Sequence, residues 1–312
     1  MKQNDIELDP WPGISASNPL AFMAAVGAFR LISQGQTQTY YRLGWTEYQG
    51  SWVPHVTCDG KPLPKPDVMQ RIETALQEAN ANPVADLESI AISADAFRDW
   101  TLEIVGHGEA QIRDRLDFLA GLSSHSWGGT ERLQETDFRV SRSHEFMKFM
   151  RILIKDTTAS HIEKSLYQSW TYADPIETHS MRWEPKEDAL SRYALRWDNP
   201  GDGNPERKKS GSEWGANRLA IEALPWFPTM PRQSGPVTTG FSQDKRRRLF
   251  FSWPVWKAPL SPDCIRSLLA QDLTNYDNAY ERAEALGVAT VFRSERLIRD
   301  KYRNFSESTP VY

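Results

Sequence analysis

The chain has 312 residues, of which 37 are lysine or arginine and 41 aspartate or glutamate, giving a formal charge of −4. With 25% charged and 39% hydrophobic residues it is a globular chain and not a disordered one, and two cysteines exclude a disulfide framework or a cysteine-rich zinc module. Taken whole, the acidic balance speaks against a polyanion-binding protein.

The start, MKQNDIELDP, is polar and has no apolar run behind a basic segment, so no secretory signal is expected. The most apolar stretch, residues 20–29, is too short to span a bilayer. A cytoplasmic protein with no membrane contact is the expectation. Asn18-Pro19 opens a helix, because Asn can cap and Pro at the first helical position gives up no needed N–H. The helix LAFMAAVGAFRLI is apolar on nearly every side and should be buried all round. TYYRLGW and SWVPHVTC are aromatic and β-branched, hence strands, and the three prolines of DGKPLPKPD make a loop. Met69, Ile72 and Leu76 repeat at helical spacing within a helix over 69–79. A strand over 89–93 and helices over 94–105, 110–122 and 143–155 follow.

In the second half SHIEKSLYQSW reads as a helix and residues 181–197 as a strand pair. Residues 198–213, DNPGDGNPERKKSGSE, hold no apolar side chain and predict an exposed, mobile loop. A short helix over 215–224 is ended by Pro225. Strands at 237–241 and 249–255 should form a hairpin around Lys245, Arg246, Arg247 and Arg248. Helices over 262–270 and 275–286, a strand over 288–293 and a basic tail close the chain. The class is α+β, helices mixed with short antiparallel strands.

Residues 1–140 hold 11 basic and 19 acidic side chains, net −8, and residues 141–312 hold 26 and 22, net +4. This divides the chain into an acidic lobe over 1–140 and a basic lobe over 141–312, unless it is one continuous domain. The basic half can meet a polyanion, or the two halves simply attract each other.

Local catalytic motifs are missing. The six histidines, at 55, 107, 125, 144, 161 and 179, form no HExxH, and there is no P-loop and no GxSxG elbow. Ser242 and Lys245 match SxxK, a pattern short enough to arise by chance. No enzyme, metal or cofactor is expected on these grounds. Binding features are richer. Strand period in SRYALRW puts Tyr193, Leu195 and Trp197 on one face and Arg192, Ala194 and Arg196 on the other. Met181 and Trp183 stand likewise against Arg182. Arg207, Lys208 and Lys209 adjoin this face, and together these cations can meet successive phosphates or simply be solvated. The run Lys245 to Arg248 at a hairpin tip is either a phosphate contact or a solvated turn. Arg293, Arg296, Arg299, Lys301 and Arg303 form another basic series, with Arg296 and Arg299 or Arg303 sharing a face of a helix from Ser294. Trp127, beside Gly128 and Gly129, is a wedge or a core ring.

NPLAFMAAVGAFRL, RWEPKEDALSRYALRWDNP, GANRLAIEALPWFPTMP, FSWPVWKAPLSPDCIRSLL and GVATVFRSERL, in this order, resemble a family encoded in type I-G (formerly I-U) CRISPR loci. The resemblance spans most of the chain and is densest from about residue 139. It implies a large-subunit-type component of a crRNA-guided surveillance complex, or an accessory linked to its helicase-nuclease. Large subunits of type I systems read the PAM duplex, help open the DNA, hold the displaced strand and recruit the helicase-nuclease, without a catalytic site of their own. The implied partners are the other effector subunits, target double-stranded DNA with its displaced strand, and the helicase-nuclease. Asn217 and Arg218 join the candidate nucleic-acid residues from the Gly-Ala-Asn motif, although Asn217 could equally be a hydrogen bonder at a helix start. Two rivals stand beside this reading: a nuclease whose site is assembled from distant residues, and an adaptor that touches no nucleic acid.

Overall fold

A computed structural model describes residues 8–35, 39–80, 87–91, 93–106, 112–124, 133–175, 179–185, 211–230, 237–274, 278–299 and 302–312. The chain is α+β. Helix α1 (Pro19–Ser33) begins as its sequence dictates: the Asn18 side chain accepts from the Ala21 N–H at 3.1 Å, and Pro19 occupies the first position. Residues 19–32 of this helix are all buried. The hairpin β1 (Tyr41–Tyr48) and β2 (Ser51–Cys58) turns through Gln49 and Gly50, both at positive φ, which is the geometry that matches strand twist. A second turn of this kind, Asp59-Gly60, leads into β3 (Lys61–Pro62), so some of the expected proline loop pairs as a sheet edge. Helices α2 (Lys65–Ala79), α3 (Ala94–Gly106) and α4 (Ile112–Leu122) follow, then the strand pair β4 (Ser123–Ser124) and β5 (Gln134–Glu135). Among the described residues of 89–93 no strand of the expected length is formed. The Ser89 and Ser93 hydroxyls accept from the N–H groups of Ala91 and Ala96, diverting the backbone into turns and the start of α3.

Helices α5 (Ser143–Asp156), α6 (Ala159–Tyr167) and α7 (Trp214–Ile221) come next. Gly27 of α1 is where α1 meets α7: a Cβ there would overlap the Leu219 carbonyl oxygen, so only glycine permits this approach. Strands β6 (Thr229–Met230) and β7 (Val237–Thr238) pair with each other. The main sheet has the order β11-β10-β9-β8, all antiparallel, built from β8 (Phe241–Gln243), β9 (Leu249–Trp256), β10 (Val288–Arg299) and β11 (Tyr302–Phe305). A last strand, β12 (Thr309–Pro310), also pairs with β10. Helices α8 (Pro262–Leu269) and α9 (Ala279–Ala285) lie between β9 and β10. Among the described residues no helix is long and apolar enough to cross a membrane.

The helix expected from Ser294 is a strand instead. Here β10 is held on both sides, with Glu295 opposite Phe250 of β9 and Arg296 opposite Phe305 of β11. Ser294 is buried and its hydroxyl donates to the Ser306 carbonyl at 2.6 Å. Two-sided pairing outweighs any helical preference of the basic series.

Many of the described aromatics are core. Phe22 stacks on Trp45 and Trp253 and meets Trp256 edge-on, and Trp253 continues through Phe251 to Phe138, which touches Trp183, Phe227 and Phe241. Such pairs stabilise by about 0.5–1.5 kcal/mol each beyond the area they bury. Three buried indoles find acceptors for their N–H: Trp253 donates to the Ala16 carbonyl at 2.7 Å, Trp256 to Leu43 at 2.8 Å and Trp183 to Phe138 at 2.8 Å. Each of these bonds joins the first 140 residues to the rest. One apolar cluster thus runs from Trp11 to Phe305 with no seam at residue 140. Trp253 and Trp256, three apart on one strand, are both buried, and β10 shifts register between Val288 and Thr290, opposite Trp256 and Val255.

Candidate nucleic-acid interface

Lys245, Arg246, Arg247 and Arg248 occupy the turn between β8 and β9, and all four are exposed. Asp244 organises that turn. Its carboxylate accepts from the N–H groups of Arg246 and Arg248, each at 2.9 Å, and from Nε of Arg248 at 2.8 Å. Its carbonyl accepts from the Arg247 N–H at 2.9 Å, and its own N–H donates to the Arg248 carbonyl at 3.0 Å. Desolvation pushes the Asp244 carboxyl up, but the Arg248 N–H, the Arg248 guanidinium and the Arg246 N–H more than reverse it, so the group lies below its ordinary value. Arg247 adopts a left-handed φ of 62° to close the loop. Arg248 also reaches Glu295 at 3.5 Å and is therefore compensated twice. Lys245, Arg246 and Arg247 form no ion pair among the described residues, which leaves three cations on a turn whose backbone is already fixed.

The other predicted residues fare differently. Arg182 is half-buried with a left-handed φ of 59°, so residues 181–184 are a bend and not a strand. Met181 and Trp183 are still buried on either side of it, Trp183 against Phe138 and Phe146. No described contact joins Arg182 to the 245–248 turn. Asn217 and Arg218 belong inside. Asn217 is fully buried; its amide oxygen accepts from the Met181 N–H at 2.8 Å, and its nitrogen donates to the Glu213 carbonyl at 3.0 Å and the Ser212 hydroxyl at 3.2 Å. Arg218 is 2% exposed, paired to Glu222 at 2.6 Å and donating to the Asn80 side chain at 2.9 Å. Neither side chain can reach a nucleic acid, because a buried polar group must bond inward. Arg192, Arg196, Arg207, Lys208 and Lys209 lie outside the described residues, as do Trp127 and the Tyr193–Trp197 face.

The end of the polar stretch 198–213 is also a correction. Ser212 and Glu213 are buried: Gly211 and Ser212 donate to the carbonyls of Tyr172 and Asp174, and the Glu213 carboxylate accepts from the Tyr172 N–H at 2.7 Å. Burial pushes the Glu213 carboxyl up; the Tyr172 N–H only partly offsets this, and the nearby Asp174 adds to the rise. Main-chain pairing holds this segment without any apolar side chain. Residues 198–210 lie outside the described stretches of the chain.

Sequence reasoning overlooked Phe250 and placed Arg293 only in a general basic series. The strand period puts Ser242, Phe250, Ser252 and Arg293 on the sheet face opposite Phe251 and Phe241. The Arg293 guanidinium lies 3.7 Å from the centre of the Phe250 ring, with Arg248 at 5.2 Å from it. Beside this face is a cavity of about 330 Å³ whose lining includes Ser242, Gln243, Ser252, Asp272 and Thr274. The signal available in sequence was the alternation of FFSWPVW, read against a partner strand longer than the one expected. No protein-family model matches the chain, and a comparison with curated proteins finds no match.

Proposed function

We propose that this chain is a non-catalytic, cytoplasmic subunit of a type I-G crRNA-guided effector. It contacts target DNA near the PAM through the β8–β9 turn and helps recruit the helicase-nuclease. The observation that carries this reading is the set of three cations, Lys245, Arg246 and Arg247, without an ion pair among the described residues and held on a turn that Asp244 has already organised. Packing three like charges together gains nothing for folding, whereas a phosphate backbone supplies the countercharge. The resemblance to the type I-G family supplies the setting, in which base pairing reads sequence and protein reads shape and a short duplex motif.

The test is binding of duplex and single-stranded oligonucleotides to the full chain across a salt series, for wild type and for K245E/R246E/R247E. Three phosphate contacts contribute a slope of about −2.7 in log K against log salt on a duplex, worth about 500-fold between 1 M and 0.1 M salt. The variant should lose at least that slope. An unchanged slope and affinity would remove the turn from any nucleic-acid interface.

A further inference from the structure

We infer that Arg293, backed by Phe250, is a receptor for one phosphodiester of a nucleic-acid backbone, on the sheet face that continues from the basic turn. The inference rests on the nucleic-acid reading above and adds a second contact point to it.

Arg293 sits in β10 opposite Ser252 of β9, and Phe250, two residues back along β9, stands opposite Ser242 of β8 and Glu295 of β10. The residue is half-buried, and its guanidinium carbon sits over the ring, 3.7 Å from its centre. Contact with the ring attracts the cation but satisfies none of the five N–H donors of a guanidinium. Its Nε is fully covered and has no hydrogen-bond partner, and the same is true of the Ser242 and Ser252 hydroxyl oxygens on this face. Arg293 forms no ion pair among the described residues. Three carboxylates act on it electrostatically, Asp244, Asp272 and Glu295, and each is engaged elsewhere. Asp244 and Glu295 hold Arg248, while Asp272 accepts from the N–H and hydroxyl of Thr274 at 3.0 and 3.2 Å.

A partly desolvated guanidinium with no counterion is costly, and native folds normally pair such a group. Here the fold seats the group over a ring and covers its Nε yet leaves its fork unmatched. That fork fits two oxygens of a phosphate. From Arg248 to Ser252 the strand advances roughly 13 Å, so a backbone touching Lys245–Arg247 can also reach Arg293 along one sheet face.

The experiment measures oligonucleotide binding by the full chain across the same salt series for R293Q, R293K and F250L, beside K245E/R246E/R247E, with thermal unfolding of each to verify folding. R293Q should weaken binding about tenfold at 0.1 M salt and reduce the slope by about 0.7 on single strands or 0.9 on a duplex. Whichever substrate shows the change identifies the source of the phosphodiester. R293K should recover the slope but remain severalfold weaker, since an ammonium carries the charge without the planar fork. F250L, which keeps the charge but removes the backing, should also weaken binding severalfold. If R293Q and F250L bind like wild type while the turn variant fails, this inference is wrong and the proposed function stands. If the turn variant also binds normally, the proposed function itself fails.

Discussion

Glu222 lies at the meeting point of α1 and α7, and replacing it isolates the buried charge network from the rest of the fold. Its carboxylate is 3% exposed and takes Arg218 at 2.6 Å and Arg30 at 2.7 Å. Arg30 has a second carboxylate in Asp114, whereas Arg218 retains only the Asn80 side chain among the described residues. Burial alone would push the Glu222 carboxyl up, but Arg218 and Arg30 outweigh it and hold the group below its ordinary value. Glu222→Gln removes the shared countercharge and turns amide donors toward two guanidiniums. Breaking a buried pair by removing one partner costs about 3–5 kcal/mol, against a total stability of about 5–15 kcal/mol for a natural domain. Urea unfolding at neutral pH should therefore show a midpoint lowered by about 1–1.7 M for a slope near 3 kcal/mol/M. The sign with pH follows from the lowered carboxyl. Its contribution is complete above the ordinary carboxylate range and is lost as pH falls through the folded value, so the gap between wild type and variant should close in acid. A loss below about 1 kcal/mol at neutral pH would refute the reasoning, because such a small change belongs to a solvated surface pair.

Gly27→Ala should destabilise by about 3 kcal/mol, near the top of the overpacking range, because the new methyl meets a backbone carbonyl and not a flexible side chain; a denaturation midpoint within error of wild type would show that α1 slides freely on α7. Burial lowers the His55 imidazole to about 4, so the unfolded chain takes up a proton first as pH falls from about 6.5, and stability should drop by about 3 kcal/mol by pH 4. Calorimetry across that range should show the slope in wild type and its absence in His55→Gln. Asp244→Ala makes the turn more cationic yet loosens it; oligonucleotide affinity should fall severalfold, and a rise would mean that net charge matters and preorganisation does not.

Local rules carried most of the elements. Asn18-Pro19 and Ser261-Pro262 both start helices with a side-chain cap, the Ser261 hydroxyl accepting from Cys264. That Trp253 and Trp256 are both core was not legible in FFSWPVW, because strand period puts residues three apart on opposite faces. The misreadings arose where tertiary pairing overrode a local signal. Ser212 and Glu213 are as polar as the residues before them, and tertiary pairing with partners such as Tyr172 and Asp174 makes them interior. Arg296 has the spacing of a helical cationic face, yet in β10 its guanidinium turns inward to Asp137 at 3.4 Å and the Arg139 carbonyl at 2.5 Å. Arg218 reads as a surface cation on a short helix, and the residue that hides it, Glu222, is four positions on and already shared with Arg30 from the far end of the chain.

The same pairings alter the meaning of the charge asymmetry. Arg30 binds Glu222 and Asp114, Lys65 binds Glu163, Arg266 binds Asp117 and Arg296 binds Asp137. All but the Arg30–Asp114 contact cross residue 140. Cations after that residue neutralise carboxylates before it, and the reverse also occurs, so some of the −8 and +4 is two interlocked halves answering each other. A count by halves therefore overstates the charge left for a partner. What distinguishes Lys245, Arg246 and Arg247 is neither that they lie in the basic half nor the lack of a carboxylate partner among the described residues, which exposed lysines such as Lys61 and Lys155 share, but that they stand side by side on a turn Asp244 organises; Arg293 is set apart by a covered Nε with no hydrogen-bond partner. Residue for residue, reversing Arg266 or Arg296 changes the formal charge as much as reversing a turn cation, but it should cost stability through Asp117 or Asp137 and leave the salt slope of DNA binding unchanged. Reversal in the turn should change the slope and leave unfolding nearly untouched. If both sets of variants moved the salt slope equally, overall charge would be the cause, and no local site would be needed.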